Sequence, residues 1–186
     1  MYAEDNHVIL PLSKDPTVFP DPRFAPDEGL LAYGGDLSTQ RLITAYKKGI
    51  FPWFSKGDPI LWWSPDPRLL LDPHKFKVRK SFRRVLRSGK FSVTFDERFS
   101  DVIKYCALVP RAGQSSTWIV DEMIEAYTRL HKEGYAHSVE VYKEGELVGG
   151  LYGVAYGKAF FGESMFSLIP DASKVAFKAL SDVLGR

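Results

Sequence analysis

The sequence predicts a mixed α/β (α+β) fold, on three observations. Tyr135 to Phe166 reads as three consecutive strands with two tight connections. Helical patterns with recognisable starts and stops recur before and after it. The first 29 residues hold five prolines (Pro11, Pro16, Pro20, Pro22 and Pro26), which makes that segment extended and loop-like. With 186 residues, 45% hydrophobic and 14% aromatic, the chain can bury one sizeable core and carry a small appendage.

Leu30–Ser38 leads into a helix expected over Thr39–Lys48. Ser38 is a good N-cap and Gly49 a good stop. Leu42, Ile43 and Tyr46 give that helix its apolar face. Two Pro-bounded aromatic clusters follow, Ile50–Phe54 and Trp62–Arg68. They either pin a small subdomain that lacks its own core or form a wall on which a planar ligand stacks. Both can hold at once.

Lys77–Gly89 is expected as a short helix carrying Arg79, Lys80, Arg83, Arg84 and Arg87. Lys80, Arg84 and Arg87 follow i, i+4, i+7 spacing and share one face, with Arg83 beside it. Phe82, Val85 and Leu86 form the opposite side. A charge run is ordinarily a solvated face. This one contains no acidic residue, which favours a phosphate-binding stripe.

A strand is expected over Phe91–Phe95 and a helix over Glu97–Leu108, with Phe99, Val102, Ile103 and Cys106 inward. Cys106 reads as a small buried hydrophobe. Pro110–Ser116 is a polar loop ending in Thr117-Trp118-Ile119. The next helix, Asp121–Lys132, carries Met123, Ile124, Tyr127 and Leu130, with His131 in its last turn, where a cation complements the dipole.

The strands of the meander are expected over His137–Tyr142, Leu147–Val154 and Ala159–Glu163, with Gly-containing polar turns between them. Gly149-Gly150 inside the second strand suggests a bulge, or a place where a ligand backbone comes close. A helix over Ser173–Leu184 follows. Glu163 is then carried out of an apolar strand at the sheet's end. It is either a satisfied polar group in a loop or a carboxylate aimed at a ligand amine, and the pattern does not choose.

Several chemistries are disfavoured. Net charge is +2, so any basic patch is local. One cysteine excludes an intrachain disulfide and a multi-cysteine zinc site. The sequence has no secretory h-region, and no apolar run approaches the ~20 residues of a membrane span. A soluble, cytoplasmic protein without a membrane partner is expected. His7, His74, His131 and His137 have no metal-like spacing. No phosphate-cradling glycine loop and no G-x-S-x-G elbow is found. No metal or cofactor is therefore expected. The remaining chemistry is positioning by carboxylates, hydroxyls and backbone groups. That suits acyl transfer from an activated ester to an amine.

Five stretches together resemble the leucyl/phenylalanyl-tRNA–protein transferases. They are GLLAYGGDLSTQRLITAYKKGIFPWF at 29–54, DPILWWSPDPR at 58–68, TWI at 117–119, AHSVEVYKEGELVGGLYGVAYGKAFFGESMFS at 136–167 and ASK at 172–174. The resemblance implies a small N-terminal domain, residues 1–66, and a GNAT-like acyltransferase domain, residues 67–186. It implies transfer of Leu or Phe from Leu-tRNA or Phe-tRNA to the N-terminal Lys or Arg of acceptor proteins, which marks them for degradation. By the same resemblance Trp53 and Trp118 contact the tRNA 3′-terminal adenosine. Glu163 is the carboxylate near the aminoacyl amine. Leu151, Met165, Phe177, Leu180 and Leu184 line the pocket for the donor side chain. Lys80, Arg83, Arg84 and Arg87 form the basic cluster for the tRNA backbone, which makes the phosphate reading of that helix the favoured one.

Two departures from the family pattern stand out. Leu168 follows Ser167 where the family commonly has Arg. The sequence ends at Arg186, before the strand that carries the family's Asp-x-Gln pair, so a C-terminally short domain is expected. The alternative reading is a protein that binds aminoacyl-tRNA ends with weak or no transferase activity. A GNAT-type N-acyltransferase using coenzyme A is disfavoured, because no Gly/Arg-rich pyrophosphate loop lies between a strand and a helix.

Overall fold

Residues 9–109 and 118–186 are described in a computed structural model, in which the chain divides into two units, Met1–Leu69 and Leu70–Arg186. The loop expected over Pro110–Ser116, together with Thr117 and His7, lies outside the described residues.

The first unit has a small sheet in the order β1-β2-β4-β3, built from β1 (Leu10–Pro11), β2 (Leu30–Tyr33), β3 (Phe51–Pro52) and β4 (Leu61–Trp63). β1 runs parallel to β2, and the other pairs are antiparallel. Helix α1 (Thr39–Lys47) starts where expected, with the Ser38 hydroxyl accepting from the Arg41 N–H at 3.3 Å. Leu42, Ala45 and Tyr46 are buried with Ile50 and Trp62. The buried Arg41 meets Asp36 at 3.2 Å and donates to the Ser13 carbonyl at 2.9 Å, tying the proline-rich segment to the helix. The Trp62 indole donates to the Gly34 carbonyl at 2.9 Å, and Phe19 packs edge-on against it. The aromatic clusters therefore do pin this unit.

The second unit has a four-stranded antiparallel sheet in the order β5-β6-β7-β8. Its strands are β5 (Ser92–Phe95), β6 (Ala136–Lys143), β7 (Glu146–Tyr156) and β8 (Ala159–Ser167). Its helices are α2 (Lys80–Arg87), α3 (Phe99–Leu108), α4 (Asp121–Lys132) and α5 (Ala172–Leu184). Helix α5 covers one face, where Ala172, Val175 and Ala176 pack on Val139, Val141, Val148 and Leu151. α3 and α4 cover the other, where Tyr152 meets Phe99 and Tyr127 edge-on, and Phe166 stacks on Tyr105.

Two expectations are corrected. The third strand does not stop at Glu163 but runs to Ser167, because Phe166 and Ser167 pair with Gly150 and Gly149. α2 begins at Lys80 rather than Lys77, and its N-cap residue Arg79 is extended. The Gly149-Gly150 pair does lie beside a bulge, since Val148 is the extra residue between the pairs Val141–Gly149 and Tyr142–Leu147. The close approach there comes from the protein itself rather than a ligand. A Cβ at Gly149 would lie 2.6 Å from the Ala172 Cβ, and one at Gly150 would lie 2.7 Å from the Val139 carbonyl oxygen.

One buried carboxylate ties the sheet to α3. Glu140 has no exposed surface, and it accepts from the Thr94 hydroxyl at 2.6 Å, from the Ser138 hydroxyl and from the Arg98 N–H at 3.4 Å. Hydrogen bonds to a charged acceptor are stronger than neutral ones, and stranded buried donors are costly. Glu140→Ala is expected to lower the unfolding free energy by about 3 kcal/mol, with Glu140→Gln losing less. Urea titration of the three chains measures this. Equal stability for all three would mean that the hydroxyls re-pair elsewhere.

Candidate functional site

Glu163 owes its position to a second bulge. Tyr152 pairs with Ser164 and Gly153 with Gly162, so Glu163 is the extra residue of β8. A bulge re-aims a side chain that regular alternation would fix. Glu163 thus sits inside a paired strand and half-buried, not in a loop.

Next along β8, Met165 pairs directly with Leu151 of β7, and cross-strand partners share a face. That face is the α5 face, since Leu151 packs in the α5 cluster. Leu151 is 3% exposed and Met165 44% exposed, so together they run from the core floor to an open wall. On α5, Phe177, Leu180 and Leu184 follow i, i+3, i+7 spacing and form one flank. Leu184 is 45% exposed, whereas Phe177 is engaged edge-on by Phe76 at 5.5 Å. Phe177 therefore backs this flank.

Phe160 was not among the residues singled out from the sequence. It packs on the same cluster as Leu151, and a Cβ at Gly153 would lie 2.5 Å from its ring and closer still to the Phe161 carbonyl oxygen. Only a glycine leaves room for that ring. The signal in the sequence is the third glycine of β7, Gly153.

Trp118 is half-buried just before α4, and the two residues after it, Ile119 and Val120, are buried. In the other unit, Trp53 follows β3 and remains 47% exposed. Its backbone is fixed on both sides. Its N–H donates to the Leu61 carbonyl at 2.9 Å, and its carbonyl accepts from the Trp63 indole at 2.7 Å. The Trp63 ring lies 5.5 Å away, tilted by 58°. Trp62 is core, Trp63 is a support, and Trp53 alone of the three offers an open ring. On α2, Lys80, Arg83, Arg84 and Arg87 are all exposed. Phe82 and Leu86 pack against the α5 cluster on the opposite side.

The family model described as leucyl/phenylalanyl-tRNA protein transferase matches residues 70–186, and the model of that family's N-terminal domain matches residues 35–66. The chain belongs to the leucyl/phenylalanyl-tRNA protein transferase family. Membership makes it an enzyme of the aminoacyltransferase class. Relatives carrying that transferase name agree over most of its length. The one from Syntrophobacter fumaroxidans is 61% identical over 169 residues, covering 91% of this chain and 72% of the relative. The one from Solidesulfovibrio magneticus is 59% identical over 172 residues, covering 92% and 70%. The one from Hydrogenovibrio crunogenus is 54% identical over 184 residues, covering 98% and 72%.

Within the transferase-matched region, the α5 face brings Leu151 and Met165 together on neighbouring strands, with Leu180 and Leu184 on the helix flank and Glu163 two residues before Met165 along β8. Trp53 belongs to the region matched by the N-terminal model. Among the described residues, no helix is long and apolar enough to cross a membrane.

Proposed function

We propose that this chain moves Leu or Phe from Leu-tRNA or Phe-tRNA to the N-terminal Lys or Arg of acceptor proteins in the cytoplasm, marking them for degradation. Residues 1–66 serve as the small N-terminal domain and 67–186 as the GNAT-like acyltransferase domain. The observation that carries the reading is the bulge at Glu163, two residues along β8 from the Met165 that pairs with Leu151. A carboxylate beside an apolar wall suits an amino acid, which has an ammonium group and an apolar side chain.

In this reading the donor side chain lies against Leu151, Met165, Leu180 and Leu184, with Phe177 behind them and Phe160 as a further wall. The Glu163 carboxylate holds the donor's amino group, which fixes the ester carbonyl. The acceptor amine attacks that carbonyl, and a C–N bond forms as the bond to the tRNA ribose oxygen breaks. The proton lost by the amine ends on that oxygen. Trp53 and Trp118 take the terminal adenosine, and Lys80, Arg83, Arg84 and Arg87 take backbone phosphates.

The test is transfer of labelled Leu from Leu-tRNA to a peptide that starts with Arg. Labelled peptide is expected, and a matching peptide that starts with Glu should stay unlabelled. Binding of Leu-tRNA with no labelled peptide would leave an aminoacyl-tRNA-end binding protein as the better description.

Donor choice tests the pocket. A buried methylene is worth ~1–3 kcal/mol of discrimination. Met165→Ala is expected to shift preference from Leu toward bulkier donors, and Met165→Trp to block both. Equal losses for every donor, small ones included, would reduce Met165 to a packing residue.

Adenosine binding tests the tryptophans. Base–aromatic stacking is worth ~1–3 kcal/mol by alanine substitution. Trp53→Ala and Trp118→Ala should each weaken binding of an aminoacyl-adenosine analogue by that amount, with circular dichroism unchanged. If binding survives and only thermal stability falls, each ring merely pins its own unit.

A further inference from the structure

We infer that the second unit has a pocket for one unstacked nucleotide of the donor tRNA, distinct from the amino-acid pocket and adjoining the basic cluster, with which it shares Arg83. This rests on the reading of the donor as an aminoacyl-tRNA. The pocket has a volume of 640 Å³ and is lined by Phe76, Lys77, Val78, Arg83, Leu86 and Lys178. It is an open depression rather than an enclosed cavity, a shape that suits one base lying on a floor and leaving its backbone outside.

Its lining has two halves. Phe76, Val78 and Leu86 are half-buried and give an apolar floor with one aromatic ring. Phe76 is held by its edge-on contact with Phe177. The rim is cationic and has no acidic lining residue. The Arg83 guanidinium donates to the Val78 carbonyl at 3.4 Å, which ties it to the segment that supplies the floor. Lys77 is exposed. Lys178 is shared with Asp182, so the rim keeps the net charge of Lys77 and Arg83. An apolar, partly aromatic floor under a cationic rim matches a base with its phosphate.

The pocket's place on the fold distinguishes it from its two neighbours. Lys178 and Leu180 lie roughly 200° apart around α5, so this pocket opens on a different flank from Leu180 and Leu184, and the Phe76–Phe177 contact is where the two sites adjoin. On α2, Arg83 and Leu86 lie to one side of the Lys80–Arg84–Arg87 face, so the pocket adjoins the phosphate stripe without being part of it. A tRNA backbone running along that stripe can turn one base sideways into the pocket. Stacking tolerates any base, so the preference is for an unpaired position rather than for a sequence.

Filling the floor without changing charge separates this pocket from the stripe. Val78→Trp is expected to weaken binding of full-length Leu-tRNA by about tenfold or more, the size of a lost base–aromatic stack. The slope of log affinity against log salt should stay the same, because no phosphate contact is lost. Arg83→Ala should instead lower that slope by about one. Transfer from a minimal aminoacyl-adenosine donor should be unaffected by Val78→Trp. If neither donor supports transfer by the unaltered chain, the proposed activity fails and not this pocket. Unchanged tRNA affinity in Val78→Trp would overturn the pocket. So would an equal loss with both donors. Ultraviolet crosslinking of the unaltered chain to Leu-tRNA needs no variant to fold, and it should attach a nucleotide to the peptide that contains Phe76. Attachment only elsewhere would also overturn the proposal.

Discussion

Glu163→Gln is expected to cut leucyl transfer by at least ~10²-fold while leaving Leu-tRNA affinity within a few-fold of the unaltered chain. A positioned acid–base or electrostatic group typically contributes ~10²–10⁴-fold. Gln keeps the size and hydrogen-bonding reach of Glu but removes its charge. Glu163 fixes the ester by holding the donor's amino group, whereas most of the affinity for tRNA comes from its phosphates, so the loss should appear mainly in the rate at saturating tRNA. Glu163 sits at the bulge of β8, between the Gly162–Gly153 and Ser164–Tyr152 pairs, where the backbone sets how far its side chain reaches. Glu163→Asp keeps the charge but retracts it by one methylene, and it should fall between the two. Single-turnover transfer with saturating enzyme measures all three. A Glu163→Gln chain that transfers at the unaltered rate would remove Glu163 from the chemistry and return it to a structural role in the bulge.

The second large effect concerns tRNA affinity. Replacing Lys80, Arg84 and Arg87 together by Ala should reduce the salt slope of Leu-tRNA binding by about two to three, and affinity at physiological salt by roughly 100-fold. All three are exposed on one face of α2, so the variant removes charge without opening the core. Phe82 and Leu86, on the other side, keep the helix packed against the α5 cluster. Binding of aminoacyl-adenosine, which has no backbone to contact the stripe, should not change. An unchanged slope in filter-binding titrations would show that the face is only solvated.

Much of the order of elements was legible locally. α1 has its Ser38 cap, α4 spans the expected Asp121–Lys132, and the meander has its two Gly-containing turns. These signals depend on residues within a turn or two of one another. They survive in the fold because local preference and tertiary packing agree. The α2 boundary was less legible, since Arg79 gives no side-chain cap hydrogen bond and the charge run continues across the helix start.

Sequence alone determined the family, the mixed α/β class, the exposed basic stripe of α2 and the identity of Glu163 as a carboxylate to watch. Tertiary structure decided where that carboxylate sits. Gly162-Glu163-Ser164 reads as the end of a strand, because a bulge and a chain exit have the same local composition. Only pairing of Phe166 and Ser167 with Gly150 and Gly149 reveals that the strand continues. Likewise no local rule reveals that Gly153 makes room for Phe160, that Phe76 engages Phe177, or that Glu140 collects donors from Thr94, Ser138 and Arg98. Each of these contacts joins residues on different elements. Their geometry is set by register and by the packing of α5 and α3 on the sheet, which one-dimensional periodicity does not encode.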